Sequence, residues 1–326
     1  MQRRTFMSML LTLGGYVIRG NASAGVRAPG RKPDVSQVQG LPCQPVSAPK
    51  YAFFTKHLEW LGYDELATVL QEAGFAAADL TVREGGHVEP PKAATDLPRA
   101  RRALAARGLS LPLVVTRITD PAAPGTEDLL RVLADNGVRH YRMGYLRYAD
   151  DRPPETQLTG FRATFERLAE LNARYGLCAN YQNHAGINFG ASLWDLAEVL
   201  DGLDHRYVGC QFDVRHAVYE GGESWRTDLR RIAPAVTTTV VKDFHWVNDP
   251  ERGWRHRNVP LGEGMVPVAD FYALCAQLAP EAPISLHSEY PLLTPDEERL
   301  PAKQKMKLAV EHLRRDVTTL RSMTNP

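Results

Sequence analysis

The stretch Val208-Gly209-Cys210-Gln211-Phe212-Asp213-Val214-Arg215-His216 decides the fold. A short apolar run through Phe212 gives way at once to Asp213, Arg215 and His216, side chains able to hold protons, sugars or metals. Three other segments follow the same plan. An apolar run before Gln182 leads into Tyr181-Gln182-Asn183-His184, residues 236–241 lead into Lys242-Asp243-Phe244-His245, and residues 283–286 lead into His287-Ser288-Glu289. Short β-branched runs of this kind read as buried parallel strands. Where several parallel strands end in polar residues, a (β/α)8 barrel brings those ends to one face, the face that carries chemistry.

Working outward, strand-like runs fall at 51–55, 77–82, 111–116, 140–144, 177–182, 208–213, 237–242 and 284–289. Helical periodicity lies between them, at 63–73, 96–107, 126–136, 158–175, 192–200, 225–231, 268–278 and 301–322. Gly74, Gly108, Gly137, Gly176 and Gly202 each stand before a strand, where helix-ending glycines belong. The expected fold class is therefore α/β, a single-domain (β/α)8 TIM barrel over residues 49–322. No Gly-x-Gly-x-x-Gly follows a strand, so a dinucleotide fold is unsupported. Leu261-Gly262-Glu263-Gly264 is too short to cradle phosphates by itself.

The chain has 39 basic and 38 acidic residues among 326, a net charge of +1. That balance offers no excess to neutralise a phosphate backbone, which argues against a nucleic-acid partner. At the N-terminus Arg3-Arg4 precedes the apolar residues 6–18, and Ala22-Ser23-Ala24 supplies small residues for cleavage. Residues 1–24 read as a twin-arginine-type export signal, and 25–48 as a flexible Pro/Gly/Ser-rich leader. The apolar run is short and broken by glycine, so no stable membrane span is expected after cleavage. A periplasmic or otherwise exported location follows. Of the four cysteines, Cys178 and Cys210 fall in strands as small core residues, Cys275 lies in a helical stretch, and Cys43 lies in the leader. Their spacing matches no zinc site.

On the stretches Gly74–Val88, Tyr181–His184, Phe212–His216, Val241–His245, Leu261–Val266 and His287–Tyr290, the chain resembles the sugar phosphate isomerase/epimerase group of the xylose isomerase-like barrel superfamily. The resemblance spans roughly residues 50–322. It implies one divalent metal, Mn, Mg, Co or Zn, held by Glu, Asp, His and Glu from strands five to eight, and carboxylates that move protons next to a carbonyl. Asp213 and Glu289 match that pattern. Gln182 stands where the first glutamate is expected and Val240 where the histidine is expected, with His245 as the nearest replacement. The implied metal set is Gln182, Asp213, His245 and Glu289.

An amide cannot accept a proton near neutral pH, so Gln182 removes one base from a two-base epimerisation. One-base isomerisation, or elimination with Glu289 as base and a histidine or lysine as acid, survives better. Glu289, Lys242 and His184 are the expected catalytic groups. His216, Arg83, His87, Arg142 and Trp246 are the expected substrate contacts, with Lys56, His57 and Tyr145 near the same mouth. Lys242 has a competing use as the ion-pair partner of Asp243. Residues 246–259, dense in charge, read as a mobile lid.

The expected protein is an exported, metal-dependent sugar isomerase or epimerase acting on a sugar or keto-sugar through an enediolate. Its expected partner is a small carbohydrate, met unphosphorylated outside the cell, and the outer helices leave homo-oligomers open. A lyase on keto-glycosides is one alternative, and a carbohydrate-binding barrel without turnover is the other.

Overall fold

The computed structural model describes residues 51–324. The signal, the leader and Cys43 lie outside the described residues. Eight strands close a parallel barrel: β1 Tyr51–Phe54, β2 Ala77–Thr81, β3 Ser110–Val115, β4 His140–Arg142, β5 Cys178–Gln182, β6 Val208–Asp213, β7 Val236–Val241 and, closing it, β10 Ile284–Leu286, which pairs with both β7 and β1. Around it lie α1 Tyr63–Ala73, α2 Ala93–Ala106, α3 Thr126–Asp135, α4 Leu158–Tyr175, α5 Leu193–Leu200, α6 Val214–Gly221, α7 Trp225–Ile232, α8 Val268–Leu278 and α9 Ala302–Thr324. Helix α1 stops at Gly74, whose φ of 100° only glycine adopts without strain and whose N–H reaches the Leu70 carbonyl. No helix among the described residues is long and apolar enough to cross a membrane.

Register fixes which side chains reach the interior. Asp213 pairs with Val240, Val240 with Ser285, and Gln182 with Gln211. Paired residues share a face and alternation brings back every second residue. Val240 is therefore an interior side chain, and Lys242, two residues on, rises directly above it. The interior is unusually polar for a fold whose barrel layers are mostly branched aliphatics. Asp79, Asn180, Gln211, Thr238 and Ser285 are all buried there, and the Ser285 hydroxyl donates to Asp79. Cys178, Cys210 and Cys275 are buried free thiols.

Two elements differ from expectation. Helix α6 starts directly at the end of β6, where only the later helix is apparent from periodicity. Its start is set by Asp213, whose carboxylate accepts the His216 N–H at 3.2 Å as a helix N-cap. The expected lid is an antiparallel hairpin, β8 Asp243–Asp249 with β9 Gly253–Val259, paired over its whole length. Its turn is tied by Asp249, which accepts the N–H groups of Glu251 and Arg252 at 2.9 and 3.0 Å. Dense charge on the exposed face hides the alternation that makes it a strand pair.

Lys242 and Asp243 do not pair. Lys242 points inward, whereas Asp243 turns to the loop after the hairpin and accepts N–H groups from Gly262, Gly264 and Val266 at 2.9 to 3.0 Å. The Leu261–Val266 stretch is thus an anchored turn. A Cβ on Gly264 would overlap the Asp243 carboxylate and the Phe244 carbonyl. Gly264→Ala is expected to lower stability by about 1–3 kcal/mol, as overpacking does, measurable by urea denaturation with native activity or ligand binding as the control.

Candidate active site

The strand ends converge on Lys242. Its ammonium lies 3.0 Å from Asp213 Oδ2, 3.0 Å from His216 Nε2 and 3.5 Å from Glu289 Oε1. Lys242 and Asp213 are fully enclosed, and Glu289 keeps a quarter of its side chain in contact with solvent. Two of the ammonium's three hydrogens find carboxylate acceptors, and His216 Nε2 is its third close neighbour. Asp213 is held further by the Gln182 amide NH₂ at 2.7 Å, and its backbone is clamped by Asn183, which donates to the Asp213 carbonyl and accepts its N–H. The Gln182 carbonyl oxygen accepts from Arg142 at 2.8 Å and from the Tyr145 hydroxyl at 2.6 Å. Arginine can only donate, so this contact fixes which way the amide points.

A cavity of about 190 Å³ opens over this cluster, walled by His184, Arg215, His216, Tyr219, Lys242, His256, Asn258 and Glu289. A second recess of about 280 Å³, lined by His57 and Leu292 among others, shares Glu289 as its wall. His184 Nδ1 donates to the Ala185 carbonyl at 2.9 Å, which leaves Nε2 with a lone pair and no protein partner among the described residues. The His184 and His216 rings lie 4.0 Å apart. Arg215 reaches His216 and Asn258 and lies over the rings of Tyr219 and Phe244.

Electrostatics keep this site asymmetric. Burial would raise Glu289, but Lys242 and Lys56, the latter 3.2 Å away, outweigh it and hold the carboxyl well below its ordinary range. Burial, reinforced by Lys242, pushes His184 down, and the same two causes push His216 far down, so both imidazoles are neutral at pH 7.

Glu289, Lys242, His184, His216, Asp213, Gln182 and Arg142 therefore meet at one mouth, as the strand-end pattern indicates, with Lys56, His57 and Tyr145 beside them. Four expected site residues are placed otherwise. His245 pairs with Arg257 on the hairpin. Alternation puts it on the face opposite Phe244, Trp246, His256 and Asn258, so it turns away from the cavity. Trp246 lies on the near face but stacks on Tyr219, ring centres 4.8 Å apart, and anchors the hairpin to α6. His87 has both ring nitrogens engaged, Nδ1 with the Thr55 and Thr81 hydroxyls and Nε2 with the Leu58 carbonyl, which makes it a strut of the wall. Arg83 sits at the rim over Phe54 and is paired with Glu59 at 3.5 Å. It borders a separate groove of about 850 Å³ beside Arg117 and Pro90. Arg215, Tyr219, His256 and Asn258 also line the cavity and are not among the expected catalytic groups or substrate contacts. Arg215 stands inside the quoted Asp213–His216 stretch, and the hairpin residues carried no strand-end signal.

Residues 67–315 match the xylose isomerase-like TIM barrel family, and the chain belongs to it. Solved structures share the fold at low identity. A putative xylose isomerase from Rhodospirillum rubrum ATCC 11170 has TM-score 0.62 and 16% identity, covering 84% of this chain and 99% of that one. The D-psicose 3-epimerase of Clostridium cellulolyticum H10 has TM-score 0.61 and 11% identity over 83% and 99%. A barrel protein of this type from Mycobacterium smegmatis, in complex with magnesium, has TM-score 0.57 and 15% identity over 80% and 89%. No curated protein matches the sequence significantly.

The donor set at the strand ends does not suit the divalent metal that the resemblance implies. Gln182 turns its NH₂ toward Asp213 and spends its oxygen on Arg142 and Tyr145. Val240 offers no donor, and His245 faces away. Among the described residues no group of three or more His, Cys, Asp or Glu is arranged to hold a metal ion.

The buried histidines make stability pH-dependent. Burial lowers His87 and His140 to about 4. Their folded pKa values lie below the unfolded value, so the unfolded chain binds more protons between about 4 and 6.5. Stability is present above that window and is lost as pH falls through it, at up to about 1.4 kcal/mol per pH unit for each group. Asp316, raised to about 6 by burial, opposes this in the same range as a single group. Urea midpoints measured between pH 7 and pH 4.5 are expected to fall steadily.

Proposed function

We propose that this protein is an exported carbohydrate enzyme that transfers a proton at the carbon beside a carbonyl of a small, unphosphorylated sugar or keto-sugar. It would act as an isomerase, an epimerase or a related lyase. One observation carries the reading: a carboxylate, an ammonium and an imidazole with a lone pair, Glu289, Lys242 and His184, line one small cavity at the strand ends. Glu289 takes the proton, Lys242 donates to the oxygen on which negative charge develops, and His184 exchanges a proton on the other wall. A substrate oxygen that draws Lys242 toward itself also frees Glu289 from its strongest partner and makes it a better base. Asn258, on the cavity wall, would hold a hydroxyl, and Arg142 would act behind it by fixing Gln182. The epimerase names carried by structural relatives agree with this chemistry, and the paired arginines near the N-terminus support export.

The test is deuterium exchange. Unphosphorylated ketohexoses and keto-glycosides are incubated with the full chain in D₂O and followed by proton NMR. Loss of the proton next to the carbonyl, or elimination across it, is the expected result. Tight binding with no exchange in any sugar would sink the reading and leave a carbohydrate-binding barrel.

A further inference from the structure

We propose that the Lys242 ammonium takes the place of a divalent cation at the strand ends, giving the site a cation built into the chain. The position is defined by what surrounds it. Asp213 and Glu289 are the two carboxylates of the implied metal set, and Lys242 Nζ already lies 3.0 and 3.5 Å from them. His216 Nε2 is its third neighbour at 3.0 Å. The ammonium therefore already sits between the two carboxylates of the implied metal set.

Local charge points the same way. Lys242, Lys56, Arg142 and Arg215 stand around Asp213 and Glu289, so positive groups outnumber negative ones before any ion arrives. A dication entering this cluster is repelled, whereas an oxygen that becomes negative during reaction is attracted. The register explains why one residue can do this. Asp213, Val240 and Ser285 lie side by side, the apolar Val240 fills the space beneath, and Lys242 is the next interior residue along the same strand direction. Gln182 completes the exchange: a neutral amide donating to Asp213 suits a site whose positive charge is already supplied.

The placement of Lys242 is independent of which sugar is used, and its role in stabilising an oxyanion rests on the function proposed above. Manganese is the probe. Chelator-treated full chain is titrated with MnCl₂ while the signal of free Mn(II) is read by electron paramagnetic resonance. Wild type is expected to take up none, and Gln182→Glu is expected to take up none either, because the lysine still fills the position. Lys242→Gln combined with Gln182→Glu is expected to bind Mn(II) at least about tenfold more tightly than wild type, a gain of about 1.4 kcal/mol. Uptake of one equivalent by wild type, abolished by Asp213→Asn, would overturn the proposal. Uptake by Gln182→Glu alone would also overturn it, and this variant keeps the decision open to experiment if the double variant fails to fold. A folded double variant without gain overturns it as well. Manganese uptake by wild type would leave the deuterium-exchange reading intact, and absence of exchange would leave the lysine assignment intact.

Discussion

Replacing Glu289 by glutamine is expected to lower kcat by about 10²–10⁴-fold, the contribution typical of one positioned acid–base group. The amide preserves the shape of the side chain and its packing between the two recesses, so KM should move little. Among the described residues Glu289 is the only carboxylate in the cavity wall, since Asp213 lies beneath it, fully buried and capping α6. Among the described residues no second carboxylate lines the wall to take over. The pH profile supplies an independent check. Lys242 and Lys56 keep Glu289 ionised far into acid, so an acid limb near the ordinary glutamate value is not expected. The limb should instead reflect His184, below the ordinary histidine value because of burial and Lys242. Full turnover by Glu289→Gln on a substrate that wild type consumes would remove Glu289 from the mechanism.

Lys242→Met is expected to cost roughly 3–5 kcal/mol of folding stability, the range for removing one partner of a buried charge pair. Methionine fills the space beside Val240 but leaves Asp213 without its cation in a fully enclosed position. The deficit should depend on pH with a definite sign. In the variant, protonation of the unpaired carboxylate, or of His216 3.7 Å from Asp213, relieves the folded state. The folded variant then binds more protons than the unfolded chain, so its deficit is largest above neutrality and shrinks as pH falls. Urea denaturation of both proteins at pH 8 and pH 5.5 reads this directly. A deficit that is small and constant would mean that the ammonium carries no such burden.

Much of this architecture can be read from the chain because burial leaves a local trace. The strand runs before Gln182, Asp213, Lys242 and Glu289 are short, buried and rich in apolar or β-branched residues, and their clustered polar ends are visible without coordinates. What periodicity could not reveal is direction. Lys242 and Asp243 are adjacent and chemically complementary, yet the pleat sends one into the barrel and the other to the Leu261–Val266 turn. His87 and His184 look alike in sequence, and only their hydrogen bonds separate a wall strut from a group with an available nitrogen. The hairpin escaped because its exposed residues mask the alternation of Phe244 and Trp246.

That hairpin also changes how the mouth can open. A floppy loop would gate by melting, residue by residue. Here the two strands hold each other from Asp243 to Val259, and the hairpin meets the body through Phe244, Trp246 and His256 on Tyr219 and through Asn258 on Arg215 and the Glu289 carbonyl. The piece beside the cavity is a paired ribbon anchored at its base by buried Phe244 and Asp243. Admission of substrate should then be a single swing with its amides still shielded from exchange, and the rate of that swing should respond to Tyr219 more than to any charge on its outer face.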